Sequence, residues 1–208
     1  MVGSSFVTDA TDSLDAMINA AAKELHDLLI EKFGSDYKVS SSSFNTSAGV
    51  STVALPSDFY KLLGVDLTIN GFVHTLEKFN FRDRNALKNL GAYTPTTPPL
   101  YRLEGSNLRL YPAPNSTYAG VIWYVPVQAD LTSGGGSPVS LDMVNGYEEY
   151  VVLRAAIMAL AKEESSTGAL ESQLALQIQR IERAAENRDA GAVHQATDVM
   201  LPDTPELW

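Results

Sequence analysis

The sequence predicts an α+β protein in which long helices at both ends of the chain flank a strand-rich middle. Three segments repeat apolar residues every three to four positions, as amphipathic helices do, whereas the middle alternates apolar and polar residues, as half-buried strands do. The dipeptide Asn70-Gly71 separates two such alternating runs and is a strong β-hairpin signal. At 208 residues, the chain can bury a sizeable core without covalent cross-links.

The first helix is predicted at about residues 12–33. Thr11 or Asp12 supplies the N-cap, and Gly34 lies where a residue in the left-handed conformation ends many helices. The apolar residues of this segment recur at helical spacing and define one face. They are Leu14, Met17, Ile18, Ala21, Leu25, Leu28 and Leu29.

A strand-rich region is predicted to follow this helix. Residues 40–47 are polar and Ser-rich, so they are interpreted as a loop. Alternating, β-branched and aromatic runs then predict strands at residues 49–55, 63–69, 72–76, 100–103, 108–111 and 117–125. In the last of these strands Val121, Trp123 and Val125 share one face. Pro126 ends that strand or places it at a sheet edge.

The connections between these strands differ in character. Residues 77–91 are expected to form a short helix or a turn, and Pro95, Pro98 and Pro99 then interrupt regular structure. Residues 104–107 have turn composition and predict a second hairpin. Residues 133–138, which include three consecutive glycines, are interpreted as a flexible connector.

Two helices are predicted to close the fold, at about residues 141–164 and 168–189. The connection between them is short, so they should be antiparallel neighbours, and the three long helices are expected to form a bundle. The predicted domains are a helical core of residues 1–36 and 139–190 and an inserted β-rich domain of residues 37–138. Residues 191–208 are predicted to form an extended C-terminal docking tail.

The composition excludes several classes of protein. The chain has no cysteine, which excludes disulfides, thiol catalysis and zinc fingers. Its formal net charge is −10, from 25 acidic and 15 basic residues, whereas DNA-binding domains hold phosphates with several Lys or Arg side chains. This charge is compatible with a surface that DNA passes without adhering. The apolar run at residues 121–125 is too short to span a membrane, and no signal-peptide pattern is present, so we expect a cytoplasmic protein.

No motif in the sequence predicts an active site. His26, His74 and His194 lack the spacing of metal ligands, and surface or edge positions are expected for them. The chain has no G-x-S-x-G nucleophile motif, although a Ser-His-Asp site assembled in three dimensions stays open. Gly134-Gly-Gly136 is not a phosphate-binding loop, and Arg82-Asp83-Arg84 is interpreted as a local ion-pair cluster. We therefore predict a protein that is not an enzyme and that has no metal or cofactor.

Aromatic residues are crowded into the middle of the chain. About half are expected in the core, and the others are candidates for a protein interface, where Tyr and Trp are enriched, or for a sugar-binding face. The set comprises Phe59, Tyr60, Phe72, Phe79, Phe81, Tyr93, Tyr101, Tyr111, Tyr118, Trp123 and Tyr124.

Several short motifs, in their order and spacing, resemble those of the head-to-tail adaptor (connector) proteins of tailed bacteriophages. These motifs are Leu55-Pro56-x-Asp58-Phe59 followed by a strand, Tyr101-x-x-x-Gly105-x-x-Leu108-x-Leu110-Tyr111-Pro112-x-Pro114, an Ile122-x-Tyr124 strand, and two closing helices. The resemblance extends from the first helix to about residue 189, and the tail fits the family's C-terminal extension only in kind.

The resemblance implies a virion protein at the head-to-tail junction, assembled in the host cytoplasm. Such adaptors form a twelve-fold homo-oligomeric ring beneath the portal protein, extend the DNA channel, and carry the tail tube, nozzle or tail-completion protein. It further implies that the helical core packs side by side in the ring and that the C-terminal extension inserts into the portal. Double-stranded DNA would be a partner only in transit, and no membrane is involved.

The C-terminal tail is the predicted docking site for the portal. Its apolar residues would be exposed in a monomer, so docking explains them better than a disordered end, which is the alternative. The proposed docking residues are Val199, Met200, Leu201, Leu207 and Trp208. Three other functions stay open: a carbohydrate- or receptor-binding virion module that uses the aromatic β insertion, an enzyme of unrecognised type, and a cytoplasmic scaffold unrelated to phage.

Overall fold

The computed structural model describes residues 14–85, 98–131 and 146–188. These residues form three α-helices and two antiparallel β-sheets, which confirms the α+β class. The helices are α1 (Leu14–Phe33), α2 (Glu148–Lys162) and α3 (Gly168–Glu186). The strands are β1 (Ser40–Asn45), β2 (Thr52–Ala54), β3 (Phe59–Ile69), β4 (Phe72–Thr75), β5 (Leu100–Glu104), β6 (Asn107–Tyr111) and β7 (Ala119–Pro126). Among the described helices, none combines the length and apolarity that crossing a bilayer requires.

The three helices share one apolar cluster. The predicted stripe of α1 faces this cluster, and Leu25 and Leu29 are almost completely buried. Burying such a side chain contributes about 1.5–3 kcal/mol to folding. The buried members of the cluster are Met17, Ala21, Ala22, Leu25, Leu29, Tyr150, Val151, Ala155 and Ile181. A bidentate ion pair between Arg154 and Glu24, with N–O distances of 2.6 and 3.1 Å, joins α2 to α1 beside the cluster.

The helix boundaries agree with the prediction at one end of the chain and differ at the other. Gly34 ends α1 with φ of 93°, which is the left-handed conformation that favours glycine. Helix α2 was predicted from residue 141, but it begins at Glu148. The physical reason is Gly146, whose φ of 63° interrupts helical backbone just before this point. The residues from 141 to 145 lie outside the described part of the chain.

The two sheets pack on a second apolar cluster, separate from that of the helices. The strand order is β1-β7-β3-β4 in the four-stranded sheet and β2-β6-β5 in the three-stranded sheet. Both sheets direct alternate side chains into the shared interior, as period-two sequences do. The buried members are Val65, Leu67, Ile69, Leu76, Leu108, Leu110, Ile122 and Tyr124.

Both predicted hairpins are confirmed. Asn70 and Gly71 have φ values of 51° and 84° and connect β3 to β4, as expected for a two-residue turn that needs two left-handed residues. Gly105 has φ of 59° in the turn between β5 and β6. The segment predicted as a short helix or turn contains a 3-10 turn at Phe81–Asp83, and its residues from 86 onward lie outside the described part.

The predicted loop at residues 40–47 is wrong, because Ser40–Asn45 form strand β1. This strand pairs antiparallel with β7 over its whole length. Its residues alternate between partly buried and exposed, and Phe44 lies over Gly120 of β7. Serine has little intrinsic preference for strands, so the local sequence gave no strand signal, whereas pairing with β7 and the packing of Phe44 decide the conformation.

Strand β7 lies inside its sheet, between β1 and β3, and Pro126 occupies its last position. Of the two alternatives for Pro126, strand termination is therefore the correct one. Ile122 and Tyr124 point into the core, whereas Trp123 on the opposite face is 40% exposed. Strand β3 starts at Phe59, earlier than predicted, and is irregular where it passes β7 near Lys61 and Leu62.

Candidate functional site

A cleft lies where α1 meets the segment that follows β7. It has a volume of about 460 Å³ and is lined by Lys23, His26, Asp27, Tyr60, Val127, Gln128, Ala129 and Asp130. Its rim carries an ion pair, with 2.7 Å between Lys23 Nζ and Asp130 Oδ1. Nearby, the Leu131 amide donates a hydrogen bond to the Asn19 side chain at 2.5 Å. These contacts fasten the end of the strand-rich region to the first helix.

His26 is the buried polar group of this cleft, with 4% exposure. Burial lowers the pKa of His26 below its ordinary value of 6.5, and the nearby positive charge of Lys38 lowers it further. Asp27 and the Pro126 carbonyl act in the opposite direction but less strongly. The imidazole packs edge-on against the Tyr60 ring, with 5.4 Å between centroids. His26 is therefore neutral near pH 7 and serves as a packing residue at the junction.

The predicted surface or edge position of His26 is wrong. His26 follows Ala22 by four residues and Leu25 by one, so it lies on the apolar face of α1. This spacing was visible in the sequence. Its Nε2 atom meets no hydrogen-bond partner within the described residues.

The outer face of the four-stranded sheet carries a second concavity, of about 380 Å³. Asp66 organises it, because its carboxylate accepts hydrogen bonds from Trp123 Nε1 at 2.7 Å and from Thr75 Oγ1 at 2.8 Å. The indole is thus held against the sheet with part of its surface exposed. The other lining residues include Ser43, Asn45, Thr68, Val73 and Val121. The carboxylate of Asp66 therefore fixes the position of the Trp123 indole on the outer face of the sheet.

The aromatic residues divide as predicted, with about half in or against the core. Four of the ten that are described are exposed: Tyr60, Phe72, Phe81 and Trp123. Phe72 is the most exposed, at 64%, and lies beside the equally exposed Val73 at the tip of the β3–β4 hairpin. Tyr93 lies outside the described residues.

The other residues considered as sites do not come together. His74 lies on β4, away from His26 on α1, and His194 and Gly134-Gly-Gly136 lie outside the described residues. Arg82 and Asp83 are 3.6 Å apart, and Arg84 stacks over the Phe81 ring at 4.4 Å. The triplet is a local ion pair with a cation–π contact, in agreement with its interpretation from the sequence.

The predicted docking residues Val199, Met200, Leu201, Leu207 and Trp208 also lie outside the described part. The last described residue, Arg188, holds the end of α3 against the end of α1. Its guanidinium donates to the Phe33 carbonyl and to Asp36, and it stacks on the Tyr37 ring at 5.5 Å. These contacts fasten the last described residue of the chain to the C-terminal end of α1.

Across the ranges 14–85, 98–131 and 146–188, no three His, Asp or Glu side chains are grouped so that they could hold a metal ion. Within these ranges, the exposed large apolar side chains include Val152 and Leu176 on the helices and Tyr60, Phe72 and Trp123 on the strands.

The chain belongs to the SU10 adaptor protein family, whose family model matches residues 2–199. The match confirms the resemblance to the head-to-tail adaptors of phages, and it covers the chain more widely than the short motifs did. The family is one of structural adaptors and is not an enzyme family. A search of curated proteins found no match.

Proposed function

We propose that this protein is a head-to-tail adaptor that forms a homo-oligomeric ring between the portal and the tail and extends the DNA channel. The match of residues 2–199 to the adaptor family is the observation that carries this proposal. The ring would be twelve-fold, as the resemblance implies, and would hold the tail tube, nozzle or tail-completion protein on its far side. The protein would reside in the virion after assembly in the host cytoplasm.

Exposed apolar residues on the helices support the ring. Val152 on α2 is 65% exposed, and Leu176 on α3 is 63% exposed. Leu174, Ile178 and Ile181 already pack α3 against the other two helices. The exposed Leu176 is therefore not needed for packing within the subunit. A ring requires two different surfaces that meet head to tail, and helices with apolar residues on a second face can supply such surfaces. The same helices would form the bundle of the helical core domain.

The net charge of −10 supports passage of DNA through the ring without capture. Negative surfaces repel the phosphate backbone, so a channel lined by them would let double-stranded DNA pass rapidly. The β-rich domain of residues 37–138 would face outward or toward the tail.

The C-terminal tail would dock on the portal through Val199, Met200, Leu201, Leu207 and Trp208, folding as it binds. Deleting residues 199–208 should abolish portal binding and leave the free energy of unfolding of the chain unchanged. Among the docking residues, only Val199 lies within residues 2–199, the part of the chain that the family model matches. Unchanged affinity of the truncated chain for the portal would disprove the docking hypothesis.

Native mass spectrometry tests the function as a whole. The purified chain is measured alone and after mixing with the portal ring from the same source. A fixed number of subunits added to each portal ring is the expected result, and its mass gives the stoichiometry directly. If the mass of the portal ring is unchanged after mixing with the chain at micromolar concentration, the adaptor proposal is wrong.

The alternative, a carbohydrate-binding virion module, has one observation in its favour. The partly exposed indole of Trp123 lies beside the polar side chains of Asp66, Ser43 and Asn45. An aromatic ring next to hydrogen-bonding groups can bind a sugar, because the ring packs on the sugar face while the polar groups bind its hydroxyls. Binding of the isolated chain on a glycan array, lost on Trp123→Ala and kept on Phe81→Ala, would support this alternative. The adaptor is preferred because the family match covers nearly the whole chain.

A further inference from the structure

Two arginines face each other on the outer face of the three-stranded sheet. Leu108 and Leu110 of β6 are buried in the core, so Arg109 between them points away from it. Arg102 of β5 is the direct cross-strand partner of Arg109, and such partners lie on the same face. Like charges placed opposite each other destabilise a sheet. The pairing therefore works against the stability of the sheet unless negative charge is supplied nearby.

A third arginine joins this pair through an exposed aromatic ring. Phe81, in the 3-10 turn, is 48% exposed. The guanidinium carbon of Arg84 lies 4.4 Å from the centre of this ring, and that of Arg102 lies 5.4 Å from it. Each guanidinium also donates a hydrogen bond to a backbone carbonyl, Arg84 to Phe81 at 3.1 Å and Arg102 to Phe79 at 3.2 Å. We call Phe81, Arg84, Arg102 and Arg109 the arginine patch.

The arginine patch carries more positive charge than its neighbouring carboxylates offset. Glu104 pairs with Arg109, with 2.7 Å between Glu104 Oε2 and Arg109 Nε. Within residues 14–85, 98–131 and 146–188, no ion pair joins Arg84 or Arg102 to a carboxylate. Residues 86–97, which follow the turn in the sequence, contain Lys88 and no acidic residue. Positive charge is therefore concentrated on this face of a chain whose net charge is −10.

The chemistry of the arginine patch suits the carboxylates of another protein. A guanidinium binds a carboxylate through two parallel hydrogen bonds, and stacking on an aromatic face leaves its N–H edge available for them. Because Arg84 and Arg102 are already fixed on one ring, less side-chain entropy is lost on binding. Phosphate has a similar fit, but tight DNA binding uses about six to ten phosphate contacts. The acidic remainder of this chain would also repel DNA.

Charge complementarity favours a second copy of this chain as the partner. The chain has 25 acidic and 15 basic residues, so the surface outside the arginine patch is more negative than the chain as a whole. A ring needs two different surfaces that meet head to tail, and a positive patch with a negative surface on each copy meets this need. Complementary charges also fix the orientation of a contact and suppress wrong pairings.

We propose that the arginine patch binds exposed carboxylates of the neighbouring copy. This inference rests on the proposed ring, and it adds to the helix contacts a contact made by the strand-rich part of the chain. Phe81 supplies an apolar centre for the contact, and the guanidiniums supply its specificity.

Charge reversal in the arginine patch tests the contact. Arg102→Glu is compared with Arg183→Glu, which changes the net charge equally at an exposed position of α3. Native mass spectrometry counts the copies added to each portal ring as the chain concentration is raised. The native chain and Arg183→Glu should complete the ring at the same concentration, whereas Arg102→Glu should need at least about tenfold more chain.

Two outcomes of this comparison would overturn the inference and leave the adaptor function intact. One is ring completion by Arg102→Glu at the native concentration. The other is an equal loss in Arg183→Glu, which would make the effect one of net charge. Urea unfolding shows whether each variant is folded. Arg84→Glu is the second reversal and decides the test if Arg102→Glu does not fold.

A native chain that adds nothing to the portal would refute the adaptor function, and the chain alone then decides the inference. Sedimentation velocity is measured at up to about 1 mM chain, where a millimolar contact is populated. Association that is lost in Arg102→Glu and in about 1 M salt, where the Debye length is about 3 Å, would support the arginine patch. A native chain that stays monomeric would overturn it.

Cross-linking identifies the partner directly. Arg102→Lys keeps the positive charge and introduces an amine that carbodiimide joins to a carboxylate in contact with it. The assembly is formed from equal amounts of ¹⁵N-labelled and unlabelled Arg102→Lys chain, and cross-linked peptides are identified by mass spectrometry. Peptides of mixed isotope that join position 102 to an acidic residue are expected. Cross-links only within one copy or only to the portal would overturn the inference, as would retardation of double-stranded DNA that Arg102→Glu abolishes.

Discussion

Replacing Gly120 with alanine tests how tightly β1 is held on its sheet. A Cβ atom at this position would lie within 2.9 Å of three carbon atoms of the Phe44 ring, closer than real Cβ contacts allow. The ring would have to leave its place over β7, and Phe44 anchors β1 to the sheet interior. The expected effect is therefore loosening of β1 in addition to the steric cost.

The size of the effect follows from overpacking. Extra carbon in a filled site costs about 1–3 kcal/mol. For a chain of this length, each kcal/mol lowers Tm by about 2–4 °C. Gly64 is the matched control, since it lies in the neighbouring strand β3 and a Cβ there would meet no atom within 4 Å. Gly64→Ala should change the free energy of unfolding by less than about 0.5 kcal/mol.

Urea unfolding followed by circular dichroism measures these differences. The double variant Phe44→Ala with Gly120→Ala separates the clash from any other effect of the alanine, because the clash disappears when the ring is removed. Gly120→Ala should then cost about 1–3 kcal/mol less in the Phe44→Ala background than in the native one. Equal costs for Gly120→Ala in the two backgrounds, or equal costs for Gly120→Ala and Gly64→Ala, would refute this account of β1.

Two further predictions concern the helices. Leu25→Ala removes a fully buried side chain from the cluster of the three helices and should reduce the free energy of unfolding by about 2–5 kcal/mol. Leu176 is exposed on α3, so Leu176→Ala should change the free energy of unfolding by less than about 0.5 kcal/mol. Urea titrations of the monomer measure both values. The pKa of His26 is lowered from 6.5 by burial and by Lys38, so the unfolded chain binds more protons than the folded chain as the pH falls through this value. The free energy of unfolding should therefore fall as the pH decreases below 6.5, by at most about 1.4 kcal/mol per pH unit. His26→Gln should reduce this slope in titrations at several pH values, and an unchanged slope would assign it to other groups.

Much of the fold could be predicted from local signals in the sequence. Helix α1 was recognised because its apolar residues repeat at the helical period over five turns and Gly34 ends the pattern. The two hairpins were recognised because their turn residues need left-handed backbone, which Gly and Asn adopt at low cost. The adaptor family was recognised from the order of motifs in the strand-rich region, and the match over residues 2–199 confirmed it.

Other features depended on contacts between residues far apart in the chain. Four consecutive serines carry no strand signal, and they form β1 because β7 offers a hydrogen-bonding edge and Gly120 makes room for Phe44. The apolar residues Val121 and Trp123 were grouped on one face, but the sequence alone could not decide which face of β7 the second sheet would cover. His26 lies among apolar residues of α1, and it is buried because Tyr60 and the segment after β7 pack over it.

The sequence by itself determined the α+β class, the long first helix, both hairpins and the family, because each rests on residue periodicity, turn chemistry or motif order within a short stretch. Tertiary structure alone decided the pairing of β1, the orientation of β7 and the burial of His26. These features arise where segments separated by tens of residues pack against each other. The free energy of such long-range contacts depends on shape complementarity and hydrogen-bond pairing, which no local sequence pattern encodes.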